Sequence, residues 1–129
     1  MTQGVPIRGE AGIGYVLGEG FDMPPLMFTV DELEAVMRKE TLDFVQLNYS
    51  LDDRAAERKL LPLAAERGIA ILVNVPFGGG GLLRRRLRDR PLPEWAAEIG
   101  CTSGAQILLK FVLPHPAVTC VIPGTGNPA

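Results

Sequence analysis

IAILVNVPFGGGGLL, residues 69–83, is the stretch whose reading decides the fold. The run Ile69–Ala70–Ile71–Leu72–Val73 is apolar without alternation. Alternation marks a strand with one face in water, so an unbroken apolar run bounded by turn residues predicts a strand of a parallel sheet covered by helices. Asn74, Val75, Pro76 and Phe77 follow, and then four glycines, Gly78 to Gly81. A loop without side chains, just past the carboxyl end of a buried parallel strand, lets backbone N–H groups approach a ligand closely. That is where α/β proteins place their sites.

Outward from this stretch the pattern repeats. Upstream, Thr29 with Glu32 three residues on is a capping box for a helix over Val30–Glu40, with Leu33, Val36 and Met37 on one face. Leu42–Ser50 (LDFVQLNYS) reads as a second buried strand whose later part mixes in Gln46, Asn48 and Tyr49. An amide at the end of a buried strand has to hydrogen-bond something; for Asn48 a ligand amide and the following loop are equal alternatives. A helix from about Arg54 to Arg67 follows, with a kink or break expected at Pro62 and Gly68 as its C′ glycine.

Downstream of the glycines, Arg84–Arg90 is a dense charge run. It is either a solvated loop or a phosphate-attracting rim, and without interleaved aromatics it does not read as a nucleic-acid surface. Pro93–Gly100 predicts a short helix with Trp95 against the core. Thr102 or Ser103 caps the next helix, Ala105–Leu113. His115, between two prolines, reads as an exposed turn residue. Val118–Ile122 reads as a last buried strand, with Cys120 a small core residue. From Val30 onward the order is helix, strand, helix, strand, two helices, strand, which implies a parallel sheet. Residues 1–28 form a poorly defined leader whose single strand-like piece is Ile13–Leu17; its glycines lack the strand and helix a dinucleotide loop requires. Residues 29–129 form the folded unit.

The bulk numbers limit the classes open to this unit. With 129 residues, one domain is expected, well short of the roughly 250 residues of a full eight-stranded α/β barrel. Thirteen basic against fifteen acidic residues give a net charge of −2, which steers the chain to no polyanion. Cys101 and Cys120 lack metal-ligand spacing, and with one histidine no zinc site is expected. No secretory pattern or apolar span is evident, so the expected location is the cytoplasm, without membrane or nucleic-acid partners.

With these residues in order, the chain from about Asp31 onward resembles the C-terminal half of an aldo-keto reductase, a (β/α)8 TIM barrel. The resemblance rests on Leu42–Ser50, on Leu61-Pro62-Leu63-Ala64 before Gly68-Ile69-Ala70, and on Pro76-Phe77-Gly78-Gly79-Gly80-Gly81-Leu82. Ala105-Gln106, Leu109-Lys110 and His115-Pro116 through Val121-Ile122-Pro123-Gly124-Thr125 complete it. It implies a partial TIM barrel of about the last three to four β/α units. It implies an NADP(H) cofactor, with Gln46 hydrogen-bonding the nicotinamide carboxamide and Pro76, Phe77, Gly78, Gly79, Gly80 and Leu82 along the pyrophosphate. Asn74 stands where family members commonly carry an aromatic residue that stacks on the ring. Gly124 and Thr125 fall where the clamp on the adenosine 2′-phosphate begins.

The family's catalytic tetrad of aspartate, tyrosine, lysine and histidine belongs to the first half of the barrel. No residue of this chain is assigned to it, and Tyr15 and Tyr49 match neither its motif nor its position. The expected function is therefore that of a truncated NADP(H)-dependent aldehyde or ketone oxidoreductase, inactive alone. The alternative is a non-catalytic half-barrel acting by self-association or by complementing another chain.

Overall fold

The computed structural model describes residues 29–78, 87 and 90–123. The leader 1–28 with its strand-like Ile13–Leu17, the glycines beyond Gly78, the arginine run apart from Arg90, and the segment 124–129 lie outside the described residues. The elements are α1 (Val30–Lys39), β1 (Phe44–Asn48), a 3₁₀ turn (Ala55–Glu57), α2 (Leu60–Arg67), β2 (Ala70–Asn74), α3 (Trp95–Glu98), α4 (Gly104–Val112) and β3 (Cys120–Ile122).

Local chemistry accounts for the boundaries. Thr29 and Glu32 close a reciprocal capping box at the start of α1: the Glu32 N–H donates to Thr29 Oγ1 at 3.2 Å, and the Thr29 N–H to Glu32 Oε2 at 2.8 Å. Asp31 and Glu32 in the first turn and Arg38 and Lys39 in the last complement the helix dipole. Gly68 ends α2 at φ +67°, the left-handed position that glycine occupies without steric cost. Ser103 caps α4 through its hydroxyl. The break in the Arg54–Arg67 region falls at Arg58–Lys59, not at Pro62. Pro62 thus lies in the first turn of α2, where a helix has no use for the missing N–H.

The three strands form one parallel sheet in the order β1-β2-β3. Phe44 pairs with Ala70 and Asn48 with Asn74, while Leu72 pairs with Cys120 and Asn74 with Ile122. Thr119 pins the entry to β3: its N–H donates to the Ile71 carbonyl at 2.9 Å and its Oγ1 accepts the Ile71 N–H at 3.0 Å.

The two faces of the sheet differ. Val45, Leu47, Ile71 and Val73 point to a sealed core with Leu33 and Met37 of α1, Leu60, Leu61 and Ala64 of α2, and Val112 of α4. Phe44, Gln46, Asn48, Ala70, Leu72 and Asn74 occupy the other face and are half-buried. The apolar run of β2 is therefore covered completely on one side only.

Three expectations are corrected by this arrangement. β3 is not a buried strand: Cys120 and Ile122 are exposed, and Val121 alone turns toward the core. Cys120 is consequently a surface thiol, and Cys101 is the buried one. Trp95 is 49% exposed; α3 has four residues and seats itself through Ala96, so the adjacent indole faces outward.

Candidate functional site

At the carboxyl ends of β1 and β2 the side chains of Gln46, Asn48 and Asn74 share the half-buried face. Period-two alternation puts Gln46 and Asn48 on the same side of β1, and the register sets Asn48 directly opposite Asn74. Gln46 stands diagonal to Asn74, and its Nε2 donates to Asn74 Oδ1. Gln46 Oε1 has no hydrogen-bond partner among the described residues, and Asn48 Oδ1 is a buried oxygen without one. A buried acceptor left unpaired in a folded protein calls for an explanation, and a ligand donor supplies one.

Directly after Asn74 the chain turns. Val75 adopts φ +51°, a left-handed conformation that a β-branched residue enters only under strain. The Gly78 N–H donates to the Val75 carbonyl at 3.0 Å, closing the turn. Pro76 is fully buried beneath it and Phe77 half-buried. Gly78 itself sits at φ +63°, and a Cβ there would run into the Asp52 carboxylate. The backbone angle favours glycine at this position, and any side chain there would also oblige the exposed Asp52 carboxylate to swing aside.

Asp52 belongs to the loop after β1, which the turn residues of Asn48-Tyr49-Ser50-Leu51-Asp52-Asp53 organise. Buried Ser50 donates its hydroxyl to Asp52 Oδ1 at 2.7 Å and accepts the Asp53 N–H at 3.1 Å. Asn48, Ser50, Asp52, Asp53, Val75 and Gly78 together line a cavity of about 260 Å³. Among the described residues its polar lining is rich in acceptors and holds no cationic side chain. Sequence reading singled out the glycines but not Ser50, Asp52 and Asp53. The available signal was the run of Asn, Ser and Asp directly after a strand, which marks a loop held by its own side chains.

Of the residues implied by resemblance, the structure brings Gln46 and Asn74 into contact and places Pro76, Phe77 and Gly78 in the adjoining turn. Gly79, Gly80, Leu82, Gly124 and Thr125 lie outside the described residues.

A larger open groove of about 700 Å³ lies at the start of α2, lined by Val30, Arg54, Ala55, Glu57, Arg58 and Lys59. Its charges are largely committed: Arg54 pairs with Glu57 at 2.8 Å, and Lys59 with Asp31 at 2.7 Å and Glu34 at 3.2 Å. It is therefore a less suitable ligand site than the smaller cavity at the strand ends.

Tyr49 is excluded as a proton donor by its surroundings. It is buried among Phe111 and His115, and its hydroxyl donates to Glu57 Oε1 at 2.7 Å. Burial first, and then the acidic partner, push its pKa up to about 12, whereas a catalytic acid works best with a pKa near the operating pH. His115, half-buried, accepts the Ala117 N–H on Nδ1 at 3.2 Å and holds the turn before β3. Among the described residues no group of three or more His, Cys, Asp or Glu could hold a metal ion, and no helix is long and apolar enough to cross a membrane.

The turn yields a paired prediction. Gly78→Ala is expected to destabilise the protein by about 1 kcal/mol or more, because alanine resists the left-handed angle and Asp52 must move. Val75→Asn is expected to stabilise it by up to about 1 kcal/mol, because asparagine tolerates that region better than valine. Urea denaturation midpoints shifting in opposite directions would bear this out; parallel shifts would contradict it.

A parallel sheet flanked by helices, with polar side chains and a glycine turn at the carboxyl ends of its strands, defines an α/β protein consistent with part of a TIM barrel. The chain belongs to the aldo/keto reductase family, whose model matches residues 27–129. Over 110 aligned residues it is 30% identical to one of the subunits of 5-oxoprolinase from Streptomyces coelicolor, covering 79% of this chain and 42% of that protein. Over 59 residues it is 37% identical to the NADH-specific methylglyoxal reductase of Escherichia coli, covering 46% of this chain and 18% of that protein. The chain thus spans less than half the length of these curated relatives. No solved structure gives a significant match.

Proposed function

We propose that this chain carries the carboxamide-binding and turn portions of a nicotinamide dinucleotide site belonging to an NADP(H)-dependent reductase of small aldehydes or ketones. The observation that carries this reading is the buried Asn48 Oδ1, which has no partner among the described residues and shares one sheet face with Gln46 beside the Val75–Gly78 turn. The acceptor set fits a primary carboxamide, whose two N–H groups need acceptors. It does not supply an aromatic face at Asn74. When bound, such a cofactor supplies the hydride for carbonyl reduction. The residues of this chain bind and orient: Gln46 and Asn48 accept hydrogen bonds, and the turn from Val75 to Gly78 directs the chain past the strand ends.

No residue of this sequence is assigned to the family's catalytic tetrad, so the reading adds that the chain alone reduces no carbonyl compound. Titration with NADPH and NADH, followed by nicotinamide fluorescence, tests the site. A saturable change with either cofactor is expected; none with both would overturn the assignment. Carbonyl reduction by the pure chain would overturn the inactivity.

A second reading, association with another copy or with a chain supplying further strands, is favoured by the half-buried sheet face and by the exposed edge strand β3, with Ile122 44% exposed. Such edges and apolar surfaces invite pairing. Light scattering coupled to size-exclusion chromatography decides between a monomer, which counts against this reading, and a defined oligomer, which supports it.

A further inference from the structure

We propose that two copies of this chain associate through the open face of the sheet, β2 of one lying across β2 of the other with their strands parallel. The surface that a single chain leaves uncovered is then closed by its own duplicate. The proposal rests on the association reading above and deepens it, since it names the partner, the face and the orientation.

Register defines the face. Parallel partners point the same way, and Leu72 is opposite Cys120 while Asn74 is opposite Ile122. Phe44, Ala70, Leu72, Cys120 and Ile122 thus give the face its apolar surface, and Gln46, Asn48 and Asn74 its polar part. None of these side chains is charged. The exposed cations Arg38, Arg54, Arg58 and Lys59 belong instead to α1 and to the segment entering α2. A two-fold interface sets one patch against itself, so a charge in it meets its like. A neutral patch escapes that repulsion, and amides suit the symmetry because each carries both a donor and an acceptor.

Polarity along the strands selects the axis. β1 and β2 begin with Phe44 and Ala70 and end with Asn48 and Asn74. A two-fold axis along the strands sets apolar starts on apolar starts and amides on amides. An axis across them would bury Phe44 and Ala70 against amides. The parallel arrangement also brings the outer edge of β1 beside that of β3 from the other copy. Both edges are unpaired among the described residues and run in the same direction.

The size of the face sets the strength. Three strands at ~4.8 Å spacing and five residues at ~3.3 Å rise cover only about 240 Å². A stable interface takes about 800 Å² from each partner, so this dimer is weak and dissociates at micromolar concentrations. The second copy covers Gln46 and Asn48, so the dimer and a dinucleotide held at those residues exclude each other.

Cys120 makes the face measurable, because it is exposed in the single chain and lies on this face, whereas Cys101 is buried. Sedimentation velocity on the ligand-free full chain, from low micromolar to submillimolar concentration, gives the mass. Iodoacetamide labelling of the same samples, read by peptide mass spectrometry, gives the accessibility of Cys120. The mass is expected to rise toward twice 13.9 kDa. Labelling of Cys120 should slow over the same range, about tenfold once nine chains in ten are paired. Ile122 is 44% exposed, so Ile122→Lys should keep the fold by circular dichroism and lose both the mass rise and the protection. The protection of wild-type Cys120 needs no variant and decides the matter if Ile122→Lys fails to fold.

Ala70→Cys in a Cys120→Ser background tests the orientation. With parallel strands residue 70 faces its counterpart, and a bis-maleimide spanning the ~10 Å between packed sheets should join two copies. A dimer left unjoined would overturn the parallel arrangement. An oligomer in which Cys120 labels as fast as in dilute protein would overturn this interface while leaving association standing. A monomer with Cys120 protected would overturn it too, since the chain's own remaining residues then cover the face. A monomer at every concentration with Cys120 reactive would overturn both the proposal and the association reading beneath it.

Discussion

Ile71→Ala is expected to lower the unfolding free energy by about 2–5 kcal/mol, the range for deleting a fully buried aliphatic side chain whose surroundings relax only in part. Ile71 is the position where most depends on one side chain. It lies in the central strand, with no exposed surface, in the same cluster as Met37, Leu60, Leu61 and Val112. It also anchors β3, because both its N–H and its carbonyl bond to Thr119. A domain of this size has roughly 5–15 kcal/mol in total, so the loss would be a large fraction of its stability. Urea denaturation followed by far-ultraviolet circular dichroism measures it; a change below about 1 kcal/mol would mean that the sealed face is not packed as described.

Leu72→Ala on the opposite face makes the comparison informative. Leu72 is half-buried in the single chain, so its truncation should cost clearly less than that of Ile71. Equal costs would show that something covers the second face in solution, which is the outcome that the association reading requires.

The contrast between these neighbours also explains what the sequence disclosed and what it withheld. Element order and most ends were legible because their causes are local: Thr29 and Glu32 three residues apart, Gly68 at a left-handed angle, and Ser103 ahead of an amphipathic run. Coverage was not legible, because it depends on what lies across the sheet. The apolar sequence of β2 predicts two covered faces and the structure seals one; the same reasoning places Cys120 and Val118–Ile122 in the core, where β3 is an exposed edge. Trp95 failed for a related reason, since a four-residue helix has room to bury Ala96 and not the adjacent indole.

At the site, Gln46 and Asn74 were identifiable as residue types at strand ends, but their contact arises from a register set by β1 and β2 pairing, 28 positions apart in the chain. The approach of Asp52 to Gly78 is likewise a product of two loops meeting and leaves no mark in either segment alone.

A second large effect is expected at alkaline pH, centred on Tyr49. Its phenol is buried and donates to Glu57, so the neutral form is favoured in the folded state and the pKa stands at about 12 against 10 for the exposed group. Folding therefore strengthens proton binding. The associated stability is fully present below pH 10 and is lost as pH rises from 10 toward about 12, where the unfolded chain has released a proton that the folded one retains. The loss is at most about 3 kcal/mol, since each unit of difference is worth about 1.4 kcal/mol.

Glu57 behaves in the opposite sense. Arg54 first, and then the Tyr49 hydroxyl, hold its carboxyl below the ordinary value, so its contribution is present above the unfolded pKa and is lost in acid. Tyr49→Phe should cost about 1 kcal/mol at neutral pH, because Glu57 keeps its bidentate partner Arg54, and should remove most of the alkaline loss. With two tyrosines in the chain, a Tyr15→Phe background leaves Tyr49 as the single phenol whose ultraviolet difference spectrum reports ionisation. A midpoint near 10 in the folded protein, or an alkaline loss unchanged in Tyr49→Phe, would refute the assignment. The result bears on the site, because Tyr49 immediately precedes Ser50 and packs against Phe111 and His115. Ionising it places a negative charge beside the Glu57 carboxylate at the base of the loop that carries Asp52 to Gly78. Cofactor affinity and stability should therefore decline together over the same pH interval.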